Sequence, residues 1–144
     1  MSLAQDLALF EAKLNAGIQS AMEGPVADTA KAFLSEAVET EVYEKYEPQV
    51  YRRKGLHGGL ADPENMDARY DAKDMTLEVE DVRRDDNTNR LVAPVVESGR
   101  GYDYFSPGAR PFHRTAEKNM ARSGAFEQAL DYGLRRAGFE TKTV

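Results

Sequence analysis

The sequence predicts an α+β fold: two N-terminal helices and a long C-terminal helix packed on a small, mostly antiparallel β-sheet. Three observations predict it. Apolar residues recur at steps of three and four from Leu3 to Tyr46. They alternate with acidic residues from Met75 to Val82. Helical spacing then returns from Phe112 to Ala137. A chain of 144 residues suits a single domain with a real core. Its parts are a helical region at 1–46, a long loop or arm at 47–74, and a strand–strand–loop–helix unit at 75–144.

The first predicted helix covers residues 2–23. Leu3, Leu7, Phe10, Leu14, Ile18 and Met22 make its apolar stripe, with Asp6, Glu11, Lys13, Asn15 and Gln19 elsewhere. Ser2 is placed to cap it, and Gly24-Pro25 is expected to end it and begin the next. The second covers 25–46, with a stripe of Val26, Ala30, Phe33, Leu34, Ala37 and Val38 continued by Val42 and Tyr46. Abundant alanine would let the two helices pack closely. Glu36, Glu39, Glu41, Glu44 and Glu47 crowd its end, with only Lys45 to offset them. This is either a solvated face or a surface that repels DNA and meets a basic partner.

Residues 47–74 are the least regular. Gln49–Arg53 is a short strand or an extended arm, and Gly55, Gly58 and Gly59 make a turn around His57 and Leu60. Met66–Tyr70 and Thr76–Val82 read as strands; in the second, Leu77 and Val79 face inward and Glu78 and Glu80 face water. Arg83–Asn89 is a polar turn. It is expected to pair Thr76–Val82 with a further strand at Leu91–Val96, rich in β-branched valine. Pro94 would put that strand at an edge or a bulge.

Glu97–Gly101 stops the apolar run, and a loop carries Tyr102, Tyr104 and Phe105 to Ser106-Pro107-Gly108. Pro111 opens the last helix, with Phe112 turned inward, and Gly138 closes it. Ser123-Gly124 is the point where this helix kinks or splits.

Composition narrows the chemistry. Charged residues at 31% against 41% hydrophobic describe a folded chain rather than a disordered one. A net charge of −6 argues against a groove that grips nucleic acid by bulk positive charge. With no cysteine there is neither a disulfide nor a thiolate metal site. The first residues lack a basic region followed by an apolar core, so no signal peptide is expected. No membrane-spanning run is present. His57 and His113 stand in no metal spacing and read as lone surface or core-edge histidines. Gly55–Gly59 is not followed by the Lys-Ser/Thr of a phosphate loop, and the serines lie in no nucleophile motif. No catalytic residue, metal or cofactor is assigned.

Glu97 is the carboxylate of most interest. It is expected to accept backbone N–H bonds, or to pair with Arg100 or Arg110, and so fix the loop. Tyr102, Tyr104 and Phe105 either cap the core locally or form a contact patch. Tyr51, Arg52, Arg53 and Lys54 are either a solvated arm or a contact to an acidic neighbouring subunit. Such a contact would order the 47–63 arm on assembly.

The residues Val96, Glu97 and Gly99, then a variable loop, then Arg110, Pro111, Phe112 and Ala116, form a recognisable pattern. The pattern resembles the small head–tail joining or tail-completion minor structural proteins of long-tailed phages and prophages. The resemblance spans roughly the C-terminal half. It implies a non-enzymatic virion protein assembled in the host cytoplasm. Such a protein is one subunit of an oligomeric ring around the DNA path, beside other neck or tail proteins. DNA would pass without sequence-specific binding, and Arg52, Arg53, Tyr102, Tyr104 and Phe105 would lie at subunit interfaces. Glu97, Gly99, Pro111 and Phe112 would be the structural motif. Two other classes stand beside it: a regulatory or antitoxin-like protein-binding module, and a small hydrolase or nuclease using Glu97, His57 or His113.

Overall fold

A computed structural model describes residues 2–43, 59–99 and 110–142. The expected arm at Tyr51–Lys54, His57, and the aromatic loop at Tyr102, Tyr104 and Phe105 lie outside these residues. The fold is α+β, with a two-stranded antiparallel sheet and helices before and after it.

The N-terminal helices are α1 (Leu3–Ala21) and α2 (Ala27–Val38). Ser2 caps α1 in a reciprocal box: its Oγ accepts from the Gln5 N–H at 3.2 Å, and the Ser2 N–H donates to Gln5 Oε1 at 2.9 Å. The break expected at Gly24-Pro25 does not occur. A π turn at Met22–Val26 carries the helical path straight into α2, and a second at Glu39–Tyr43 follows it. Pro25 has no N–H to give the Ala21 carbonyl. Widening the turn accommodates that loss, and the Ala27 N–H bonds back to both Gly24 and Met22. The two helices therefore pack on other elements rather than on each other. α2 lies against α4 (Phe112–Ser123), and α1 with the π turn lies against α5 (Ala125–Arg136).

The sheet pairs β1 (Met66–Asp71) with β2 (Thr76–Asp81), Met66 opposite Asp81 and Asp71 opposite Thr76. Alternation sets the faces. Tyr70, Leu77 and Val79 turn toward the helices, while Asp67, Arg69, Glu78 and Glu80 face water. Arg69 bridges Glu80 at 3.2 Å and Glu78 at 3.7 Å, exposed pairs that add little.

The third expected strand is a helix. Val92–Ser98 forms α3, and Arg84 and Leu91 make an isolated bridge before it. Pro94 falls in the first turn of α3, where its missing N–H would have had no partner. Ala93 and Val96, three apart, are buried on one side, which is helical and not strand spacing. Gly99, at φ 72°, closes α3 in the left-handed conformation. The polar turn stands, but it joins β2 to a helix. The Asp85 carboxylate takes the Asn87 and Thr88 N–H groups, which hold its pKa below the usual value.

The long C-terminal helix is also two. Gly124, at φ 74°, separates α4 from α5. Gly138, at φ 97°, ends α5, with Phe139 N–H donating to Leu134 O and Gly138 N–H to Arg135 O.

Two apolar clusters result. The larger joins Leu34, Val38 and Val42 of the second helical stretch to Leu60, Met66, Val96 and Phe112, the last with no exposed surface. The smaller gathers Met22, Val26 and Ala129 under Tyr70, Leu77, Phe126 and Leu130. Close approach makes the α1–α5 seam: a Cβ on Gly133 would stand 2.8 Å from Ala21 Cα and 3.0 Å from Pro25 Cγ.

Candidate functional site

The end of β2, the end of α3 and the start of α4 meet at one polar joint beside the larger core. β2 brings Asp81, α3 brings Glu97, and α4 brings His113. The Asp81 N–H donates to His113 Nε2 at 3.2 Å. The His113 backbone N–H donates to Glu97 Oε2 at 3.2 Å, and His113 Nδ1 lies 3.1 Å from the same oxygen. Since Nε2 faces a donor, it must accept, and the ring proton sits on Nδ1 pointing at Glu97. The His113 ring stacks on Phe112 at 4.4 Å between centroids. Three elements distant in sequence are thus locked through one imidazole.

Glu97 behaves in part as expected, accepting a backbone N–H. Its partners are the backbone and ring of His113, at a helix N-terminus that favours negative charge. His113 is not a lone residue. The joint also fixes the described residues on either side of segment 100–109: Gly99 N–H donates to Val95 O, and Arg110 N–H donates to Val96 O at 3.1 Å. Gly99 and Arg110 are thus both held on the end of α3, with Pro111 and Phe112 following Arg110 at once.

Three charged residues are buried nearby: Asp62, Asp81 and Arg110. Asp81 Oδ1 accepts from the Arg83 N–H at 3.1 Å, while Oδ2 is buried with no hydrogen-bond partner among the described residues. Burial pushes the Asp81 carboxyl up to about 7, against the opposing pull of the Arg83 N–H bond and charge; nearby Asp62 adds to the rise. An oxygen with no partner is less costly when the carboxyl keeps its proton.

A carboxylate oriented on a histidine is the usual support for a general base. Here the distal nitrogen that a base would use is already filled by the Asp81 N–H. The arrangement links β2, α3 and α4 through one side chain. Among the described residues, no group of three or more His, Cys, Asp and Glu side chains is placed to hold a metal ion. No described helix is long and apolar enough to cross a membrane. A groove between α1 and the hairpin turn is lined by Glu11, Asn15, Gln19, Tyr70, Lys73 and Met75.

Comparison with known families decides the relationship. The YomN family model matches residues 6–136, which takes in both apolar clusters and the whole joint. The chain belongs to the YomN family. YomN is the name of a gene in a Bacillus phage or prophage region, SPBeta, which agrees with a phage origin. No curated protein and no solved structure gives a significant match. Of the expected motif residues, Glu97 bonds to His113, which stacks on Phe112, while Gly99 closes α3 and Pro111 precedes α4. The expected interface residues Arg52, Arg53, Tyr102, Tyr104 and Phe105 fall outside the described residues.

Proposed function

We propose that this YomN-family protein is a structural virion component of a tailed phage, acting as one subunit of an oligomeric ring at the head–tail joint. The observation that carries the reading is family membership over residues 6–136 in a family named for a phage gene. Two features support it. The described residues on either side of segment 100–109, Gly99 and Arg110, are tied to α3 by backbone hydrogen bonds, so the segment that bears Tyr102, Tyr104 and Phe105 is anchored beside the joint, as a contact segment would need. The net charge of −6 suits a wall that DNA slides past without sticking. No bond is made or broken; the work is done by burial between subunits.

The test is placement in the particle. Phage made without this protein should yield filled heads and tails that fail to join, or tails that fail to finish. Antibody labelling of complete particles should mark the neck. Normal infectious particles lacking the protein would sink the reading and favour a regulatory binding module instead.

A further inference from the structure

α4 carries a basic stripe that its own subunit leaves unmatched. Arg114, Lys118 and Arg122 follow at steps of four, and all three are exposed. They run for about 12 Å along the face opposite buried Phe112 and Ala116. None of the three side chains makes a hydrogen bond or an ion pair with the described residues. The hairpin of β1 and β2 carries the opposite charge. Its outer face holds Asp67, Asp71, Glu78 and Glu80, all exposed, and Arg69 is the one base among them. Glu78 and Glu80 already engage Arg69. No apolar side chain stands on this face, so an apolar partner has nothing to bury there.

We propose that the basic stripe of α4 docks on the acidic hairpin face of a second copy of this chain, head to tail. Charge complementarity chooses the occupant: one chain carries both sets, and each is spare within its own subunit. α4 and β2 both pack on α2, with their charged faces turned away from it, so a chain cannot lay its own stripe on its own sheet. The dimensions agree, since Asp67 to Asp71 spans about 14 Å along β1. Glu117, the one acid of α4, flanks the stripe as Arg69 interrupts the acids of the sheet, so the odd charges match as well. Nucleic acid is the poorer fit, because a chain of net charge −6 repels phosphate around so short a stripe. A contact between two different surfaces passes from copy to copy, and such contacts close into rings. The inference thus names a subunit contact for the proposed ring, and it rests on that reading for the closure. Exposed ion pairs are weak singly and screened by salt, so the contact is salt-sensitive.

Sedimentation of the purified full-length protein at low and high salt reads the contact without the particle. Association is expected at low salt and should weaken at least ~tenfold at high salt. Reversing the stripe, Arg114→Glu with Lys118→Glu and Arg122→Glu, should abolish it. So should reversing the sheet face, Asp67→Lys with Glu80→Lys, which leaves Arg69 its Glu78. Both variants should keep the parent's circular dichroism spectrum. Mixing the two should restore association, because each then meets the opposite charge, and so should both reversals in one chain. Monomer at low salt, normal association of either variant, or folded variants that stay apart when mixed would each overturn the proposal. A stripe variant that still associates but loses binding to duplex DNA would overturn it in favour of nucleic acid. A contact that passes these tests in a protein absent from the neck would sink the virion reading and leave the contact standing.

Discussion

The two halves of the molecule solve the same packing problem differently. Around Phe112, large side chains from α2, α3, α4 and β1 meet from several directions, and the Glu97–His113–Asp81 joint ties the elements together. That half is closed by its own residues. Along α1 and α5, contact depends on small residues: Gly133 lets Ala21 and Pro25 come close, and Gly17 makes room for Phe139. The closeness lasts only as long as α5 does, and the first turns of α1 stand apolar and open. A core built from large interlocking side chains completes itself. A seam built from a backbone approach extends only as far as the partner helix.

The sharpest way to break this comparison is to remove the centre of the closed half. Phe112→Ala should destabilise the protein by about 3–5 kcal/mol, read as a shifted midpoint in urea. A loss under about 1 kcal/mol would mean that Phe112 does not hold that core. In the other half, Gly133→Ala should cost about 1–3 kcal/mol, because the added methyl meets Ala21 backbone, which cannot swing away as a side-chain tip can. An unchanged midpoint would show that the two helices are free to part. Glu97→Ala should cost about 1–2 kcal/mol by stranding the His113 N–H at the start of α4. If the loss comes from the cap, protection from hydrogen exchange should fall first in the opening turn of α4.

The last effect is one of pH, read as a slope and not as a single midpoint. The folded Asp81 carboxyl, pushed up to about 7 from 3.8, binds its proton more tightly than the unfolded chain does. Its contribution is therefore fully present below about 4 and is lost as pH rises toward 7. Stability should fall across that window, and Asp81→Asn should flatten the fall. A variant with the same slope as the parent would remove Asp81 as its cause.

Particular residues show how far the sequence could be read. Alternation placed Leu77 and Val79 inward and Glu78 and Glu80 outward, and the paired strands keep those faces. Ser2, Gly124 and Gly138 carry local signals that act within a turn of themselves, and each does what its type suggests. Leu91–Val96 misled because three valines favour strand while Pro94 suits a strand edge and a helix first turn alike. The deciding fact is tertiary: Ala93 and Val96 face the same core. Gly24-Pro25 misled because a π turn absorbs the proline where Gly133 opens space for it. At the joint, Glu97 stood out as a carboxylate after an apolar run. His113 did not, since its partners lie 16 and 32 residues away and no spacing rule connects them.

Hydrogen exchange on the full-length chain tests the contrast most directly. Amides in the body of α4 should be among the slowest to exchange, because that half is closed by its own residues. Along α1, amides of the first turns, where Leu3 and Leu7 stand open, should exchange faster than those around Gly17 and Ala21, which lie under α5 and Phe139. Equal protection along the whole of α1 would contradict the account.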